Sequence, residues 1–260
     1  MVNYLNAELY KVTRRKYPYA VLAVILGLAA FMMLLLRMES RSPSNGVVTV
    51  APQLSVADML NVLSMVLSMG LYLLVYAADI VFSEQYKHNT LKNEVSYGLP
   101  RVRIYLGKLV AAVVTAVALC AALLGGYLLL SFLMFPAGEG LGEALLVLGQ
   151  ALLMALPLWL GGLGLFLMIS FFMKSSNAAS ICYLMLLSVW DGFLELFSEF
   201  VPRLKPVLTA IQNCLLITPF RQMSYQPVEE LIPYAWVLGI CWLAASTVIG
   251  IIVFQKREVS

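Results

Sequence analysis

The chain has 260 residues, of which 62% are hydrophobic and 12% charged, with a formal net charge of +3 at pH 7. A soluble domain carries roughly 25% charged residues, so this composition excludes a soluble globular protein and indicates a polytopic membrane protein. Four cysteines without a CxxC spacing, together with a single histidine, argue against a disulfide framework and against a histidine-rich metal site.

Residues 1–17 are expected to form an amphipathic helix in the plane of the membrane interface. The apolar positions that recur on one helical face are Val2, Leu5, Leu9 and Val12. Tyr10, Tyr17 and Tyr19 suit the headgroup region. A plain basic flank without helical structure is the alternative interpretation.

Six apolar segments are long enough to be membrane spans, since roughly 20 apolar residues cross a bilayer as a helix. They are approximately 18–36, 59–81, 103–133, 144–172, 176–190 and 234–254. The first exceeds the signal-peptide core of about 7–15 residues and is taken as an uncleaved span. The fifth is short and can continue as a helix beyond Trp190. The prediction is an all-α fold with one six-span domain over residues 18–260.

The distribution of Lys and Arg predicts that both termini are cytoplasmic, because positive residues concentrate on the inner side. With that orientation the inner segments hold twelve of the 17 Lys and Arg residues and the outer segments hold five. The outer five are Arg37, Arg41, Arg203, Lys205 and Arg221.

The only long outer loop is predicted at residues 191–233. Asp191, Glu195 and Glu199 would form an acidic stripe if the fifth helix continues. Residues 207–220 are apolar but too short to span, and predict a re-entrant or surface-lying helix that ends at Pro219.

Polar residues follow one face of the predicted second span at helical spacing: Asp58, Asn61, Ser64, Ser68, Tyr72, Tyr76 and Asp79. Such a face is costly against lipid, so it is expected to face protein or water. Two interpretations stay open, the wall of a translocation path and interhelical hydrogen bonding within the bundle. The predicted path residues are Asn61, Ser64, Ser68 and Tyr72, with Ser180 and Tyr183 of the fifth span facing them.

The sequence partly resembles two functional motifs, a glutamate-pair protease pattern and a phosphate-binding loop, but completes neither. Glu229-Glu230 lacks the arginine of an EExxxR protease pattern, since Tyr234 stands at that position. Gly107-Lys108 is followed by Leu109 and does not complete a phosphate-binding loop. The chain is therefore not expected to be an enzyme or to bind ATP in that manner.

Residues 82–103 are predicted to form a basic cytoplasmic hairpin between the second and third spans. Ser83-Glu84 is typical of a helix start, and Gly98 followed by Pro100 is typical of a stop before a new helix. Lys87, His88, Lys92, Arg101 and Arg103 give the hairpin its basic character, and Lys108 follows in the next span. Such a hairpin is suited to docking a soluble partner.

The hairpin resembles the cytoplasmic loop of the type-two permeases of ABC transporters. The residues that carry the resemblance are Glu84, Thr90-Leu91-Lys92-Asn93, Ser96-Tyr97-Gly98, Arg101 and Tyr105-Leu106-Gly107-Lys108. The six spans, the N-terminal helix and the re-entrant segment also look like this family. Within it, the chain looks most similar to small bacterial permeases of peptide-antibiotic immunity and efflux.

The resemblance implies a permease dimer, homo- or heteromeric, above two separate ATPase subunits that hold ATP and Mg²⁺ in a bacterial cell membrane. This chain would bind no cofactor and no nucleic acid. The residues expected to contact the ATPase are Glu84, Thr90, Leu91, Lys92, Asn93, Gly98, Arg101 and Arg103. The implied substrates are amphipathic or lipophilic peptides, drugs or lipids, and some relatives export sodium.

Three hypotheses follow: an export permease, a non-transporting sensor or scaffold bound to an ATPase, and a free-standing ion-coupled transporter. The second would need no aqueous polar face in the second span. The third would need paired charges within the membrane, for which only Asp58 and Asp79 are candidates, and both lie at span ends.

Overall fold

The computed structural model describes residues 2–39, 54–87, 90–173 and 175–256, and all regular structure within these ranges is helical. The all-α prediction is therefore confirmed. The α-helices are α1 (Val2–Thr13), α2 (Tyr17–Glu39), α3 (Val56–Val66), α4 (Met69–Lys87), α5 (Thr90–Ser96), α6 (Arg101–Met134), α7 (Leu141–Phe172), α8 (Ser176–Phe200), α9 (Lys205–Asn213), α10 (Thr218–Gln222) and α11 (Val228–Lys256). Of the residues named above, Arg41 and His88 lie outside the described residues, as do Lys174 and Arg257, which were counted among the twelve inner positive residues.

Five helices are long and apolar enough to cross a bilayer, namely α2, α6, α7, α8 and α11. The pair α3 and α4 passes the same test when taken together, which gives the predicted six spans if the pair is one span. Helix α8 continues to Phe200, as the sequence allowed. The chain is a multi-pass membrane protein.

The second span is not the straight helix that the pattern over 59–81 predicted, because α3 and α4 meet at a bend of 67°. The amide of Gly70 bonds to the carbonyl of Leu67 at 2.9 Å, a tighter turn than an α-helix makes. The Trp159 indole of α7 packs on the Gly70 backbone, where an added Cβ would overlap the ring. Because the bend is stabilised by a residue of another helix, the spacing of polar residues along α3 and α4 could not predict it.

Helix α7 lies at the centre of the bundle, since 72% of its membrane-spanning stretch is buried, against 6–22% for the other four long helices. Its closest neighbour is α11. A Cβ added to Gly239 of α11 would overlap the Pro157 carbonyl, and one added to Gly161 would lie 2.8 Å from the Gly239 carbonyl oxygen. Small residues thus let the two backbones touch, as is usual where helices pack within a membrane.

Between α8 and α11 the chain folds into a short 3-10 turn at Pro202–Leu204 and two short helices, so the predicted single helix over 207–220 is wrong. Helix α9 ends at Asn213, and Pro219 lies in the first turn of α10 rather than at a helix end. Proline suits a first helical turn because its missing amide hydrogen would have no partner there. The Trp242 indole of α11 donates to the Cys214 carbonyl at 2.7 Å, which ties the loop to the bundle.

Candidate coupling hairpin and candidate transport path

The hairpin has a helix, a break and a second helix, as the sequence predicted. Its first helix is α5, which begins at Thr90 and not at Ser83-Glu84. Helix α4 runs on to Lys87, so Ser83-Glu84 lies inside a helix and does not begin one. Residues 84–87 contain no glycine or proline, so nothing in them ends the helix. The break comes at Gly98, whose φ of 80° lies in the left-handed region that glycine adopts without strain.

The residues expected to contact an ATPase have different surroundings. Glu84 lies near the end of α4, and Thr90, Leu91 and Lys92 form the first turn of α5. Asn93, Gly98 and Arg103 are exposed. Tyr97, beside them, is 88% exposed, which makes the tip of the hairpin an accessible surface.

Arg101 contacts this chain itself. Its Nη1 donates to the carbonyl oxygens of Phe254 at 3.0 Å and Gln255 at 2.6 Å. The last carbonyls of a helix lack partners within the helix and carry partial negative charge, so a guanidinium stabilises them. Arg101 therefore fastens the hairpin to the end of α11, a contact that the sequence did not predict.

A buried charge cluster lies between α1, α5 and α6, and sequence reasoning missed it. The Lys108 side chain is fully buried, and its Nζ lies 3.5 Å from Glu8 of α1 and 3.5 Å from Glu94 of α5. The Tyr4 hydroxyl donates to Glu94 at 2.9 Å. Burial, and then the charges of Glu94 and Glu8, raise the pKa of Tyr4 above its usual value, so Tyr4 remains a hydrogen-bond donor.

One sequence signal could have pointed to this cluster. Lys108 stands about two helical turns inside an apolar span, and an ionisable residue at such depth is rarely without a partner. The partner Glu8 is 100 residues away in sequence, on a helix whose periodicity indicates only an apolar face.

The predicted path residues of α3 and α4 are divided by the bend. Asn61 is exposed, whereas Ser64 is buried and donates to the Asn61 carbonyl at 2.8 Å. Ser68 lies at the bend and is half-buried. The seven polar positions therefore do not form one straight face.

After the bend, along α4, hydrogen bonds join α4 to α8. The Tyr183 hydroxyl donates to the Leu71 carbonyl at 3.2 Å, the Ser188 hydroxyl donates to Tyr72 at 3.2 Å, and Ser176 donates to Asp79. Tyr183 is fully buried, while Ser180 is half-buried and donates to the Ser176 carbonyl at 3.0 Å. At Tyr72 and Asp79 these are hydrogen bonds of the kind that the interhelical interpretation of the polar face expects. They hold α4 and α8 together along most of their shared length.

The predicted acidic stripe forms on the extended α8 and meets a cation. Arg221 Nη1 of α10 lies 3.0 Å from Asp191 Oδ2 and 3.2 Å from Glu195 Oε2. Glu199, one turn further on, is exposed. The pairing fixes α10 against the end of α8.

Comparison with known proteins identifies the family. Residues 4–191 match the family described as "ABC-2 family transporter protein", a region that runs from α1 into α8 and includes the whole hairpin. No curated protein matches the chain. The match supports a membrane permease component of an ABC transporter, in agreement with the hairpin resemblance. The chain belongs to the ABC-2 family of transporter proteins.

Proposed function

We propose that this chain is the permease of an ATP-driven exporter, and that its hairpin docks on a separate ATPase subunit that binds ATP and Mg²⁺. The observation that carries the proposal is the contrast within the hairpin. Asn93 and Tyr97 are exposed at its tip, while Arg101 and Lys108 fasten its base to the bundle. A surface that is accessible at its tip and rigidly held at its base is suited to receiving a push and passing it to the membrane helices.

The substrate proposed for the exporter is amphipathic or lipophilic, such as a peptide, a drug or a lipid. Export of sodium is the second candidate. The exposed residues of the long helices are apolar over most of their surface, which suits a substrate that enters from the bilayer. A compound series that stimulates ATP hydrolysis by the reconstituted complex would define the substrate class, and stimulation by sodium alone would favour the second candidate.

A second permease is the proposed partner within the membrane, either an identical chain or a related one. Helix α8 supports this because Ile181, Met185 and Val189 recur on one side of it and are 55–59% exposed. That side is apolar and can face lipid or another permease. Cross-linking between cysteines placed at position 185 of two copies would detect a homodimer, and a cross-link only to a different co-expressed permease would indicate a heterodimer.

The docking proposal is tested by cysteine cross-linking in the assembled complex. In a background with the four native cysteines replaced by alanine, Asn93→Cys should cross-link to the ATPase subunit. Asn177→Cys is the matched control, because Asn177 is also exposed and is predicted to lie on the same side of the membrane, at the start of α8. Cross-linking at position 177 but not at 93, in a complex that assembles, would contradict docking through the hairpin.

The proposed orientation has both termini in the cytoplasm. It is supported by the twelve-to-five distribution of positive residues. A membrane-impermeant thiol reagent on intact cells should label Glu199→Cys and spare Asn93→Cys, both of which replace exposed residues. The opposite labelling pattern would reverse the topology.

The non-transporting sensor or scaffold remains the competing function. It shares the docking hairpin but requires no substrate movement. Proteoliposomes that hydrolyse ATP with normal assembly, yet accumulate none of the compounds that stimulate hydrolysis, would favour it.

A further inference from the structure

We propose that Lys108 is a positioning residue that clamps α1 to α5, so that these two helices move as one body. The clamp is a property of this chain alone, whereas its use in transmitting force rests on the proposed coupling function. With this clamp, α1 would move together with the hairpin when an ATPase displaces it, and would not only rest on the membrane.

The geometry places one ammonium between two helices that are far apart in sequence. Lys108 belongs to α6, Glu8 to α1 and Glu94 to α5, and Nζ lies 3.5 Å from a carboxylate oxygen of each. The side chains of Lys108 and Glu8 are 0% and 2% exposed, and that of Glu94 is 14% exposed. The three helices therefore meet at the buried ammonium group of Lys108.

Each carboxylate in the cluster also has a second partner. Glu8 accepts a hydrogen bond from Lys11 at 2.9 Å, and Glu94 accepts one from Tyr4 at 2.9 Å. Among the side chains that the structure describes, and with Lys11 included, two carboxylates face two ammonium groups, so their charges balance. The Tyr4 and Phe82 rings lie 5.7 and 5.8 Å from Nζ and add favourable cation–π contacts.

This arrangement opposes any separation of α1 from α5. Moving either helix away would leave Lys108 or a carboxylate buried with fewer partners, and removing one partner from a buried ion pair is strongly unfavourable. Water would have to enter to replace the lost contacts. When α5 is displaced, the path of lowest energy is for α1 and the first turns of α6 to follow it.

Shape complementarity offers a competing explanation for the same contact. The Tyr4 ring packs against Gly107 so closely that an added Cβ would lie 2.6 Å from it. In that case packing holds α1 on α6, and the charges are merely tolerated. The experiment must therefore separate charge from shape.

The clamp is tested by the distance between spin labels at Ala7→Cys on α1 and Ser96→Cys at the end of α5, both exposed positions. The permease is measured alone in detergent, with the native cysteines replaced by alanine. Lys108→Met should broaden the distance distribution at least about twofold, because it leaves two carboxylates without their shared cation. Lys11→Met is the matched control, since Lys11 also pairs with Glu8 but is half-exposed and lies on the same helix as its partner.

A second variant guards against misfolding of Lys108→Met. The triple change Glu8→Gln, Glu94→Gln and Lys108→Met leaves no buried charge unpaired and keeps the size of each side chain, so it is expected to fold. It should show the same broadening. A folded triple variant with the narrow distribution of the unmodified protein would overturn the proposal in favour of packing.

The doubly labelled permease with Glu8, Glu94 and Lys108 intact gives a further reading that needs no change in the cluster. In the complex with its ATPase, the distance between positions 7 and 96 should be the same without nucleotide and with ATP trapped. A shift between the two states would overturn the clamp. If no ATPase assembles with the unlabelled permease, the proposed coupling fails, while the measurements in detergent still decide the clamp.

Discussion

Arg101, at the start of α6, lies with its guanidinium nitrogen 2.6 Å from the carbonyl oxygen of Gln255, near the end of α11. The two residues are 154 positions apart in the sequence, and this contact brings the hairpin and the C-terminal helix together. Arg101 also lies over the Phe254 ring, with 5.8 Å between the guanidinium carbon and the ring centroid. The last span is thus linked to the hairpin on which an ATPase is proposed to act.

We expect Arg101→Met to destabilise the permease, because it removes charge-assisted hydrogen bonds to the carbonyls of Phe254 and Gln255. A hydrogen bond to a charged group contributes about 1.5–3 kcal/mol when buried, and partial exposure here places the expected loss near the lower end. The measurement is the unfolding temperature of the purified permease. Arg103→Met is the matched control, since Arg103 is exposed two residues further on.

The two arginines should also differ in the complex. Arg103→Met is expected to weaken ATPase binding without changing the unfolding temperature. If the two variants lowered the unfolding temperature equally, the contact of Arg101 with α11 would add no stability beyond that of an exposed arginine.

We expect Gly70→Ala to be destabilising by about 1–3 kcal/mol, the usual cost of overpacking a filled interior. The added methyl would overlap the Trp159 indole, which itself is 8% exposed and has little room to move. Gly149→Ala is the control, because nothing lies within 4 Å of a Cβ at that helical position. The yield and unfolding temperature of the folded permease report both.

A second substitution identifies the cause. Adding Trp159→Leu to Gly70→Ala should recover part of the lost stability, because a smaller side chain leaves space for the methyl group. No recovery would mean that the bend depends on the flexibility of the glycine backbone and not on the approach of the indole.

We expect Arg221→Met to loosen the outer helices without unfolding the bundle. Arg221 is 38% exposed and Glu195 63%, so each pairing contributes no more than about 1 kcal/mol. Asp191 is 17% exposed and loses a cation that partly offsets its desolvation. Hydrogen exchange of α9 and α10 amides should speed up, whereas Arg203→Met, at an exposed position in the same loop, should change little.

The sequence predicted the parts of this fold that depend on local chemistry. Apolar runs of span length gave the long helices, and Gly98 with Pro100 gave the break in the hairpin. The resemblance carried by the same hairpin agrees with the family to which the chain belongs. These features are readable because glycine, proline and hydrophobic length act on the segment that contains them.

The contacts that shape the candidate sites could not be predicted in this way. The bend at Gly70 depends on Trp159, the burial of Lys108 depends on Glu8 and Glu94, and Arg101 is turned inward by the end of α11. Each depends on which helices are neighbours, and spacing along one helix carries no information about that. Pro219 was misplaced because proline can precede or follow a helix end.

Ser68 distinguishes the two interpretations of the polar face in the second span. It lies at the bend, is half-buried, and is followed by Met69, which is 54% exposed. If the face lines the translocation path, Ser68→Trp should block transport and leave assembly intact, because a bulky ring fills an aqueous route. If the face only packs against α8, the same change should reduce the yield of folded complex, because interior packing tolerates little added volume.

Both quantities are therefore measured on one preparation: substrate accumulation in proteoliposomes, and the amount of complex recovered after size-exclusion chromatography. Met69→Trp is the matched control, since it places the same ring one residue away on an exposed side and should leave both quantities unchanged. The hydrogen bonds from Tyr183 and Ser188 to α4 lie below the bend, so they do not decide the role of Ser68 in advance. Normal transport and normal yield for Ser68→Trp would show that this position neither lines the path nor packs tightly, and the predicted path would then have to be sought elsewhere in the bundle.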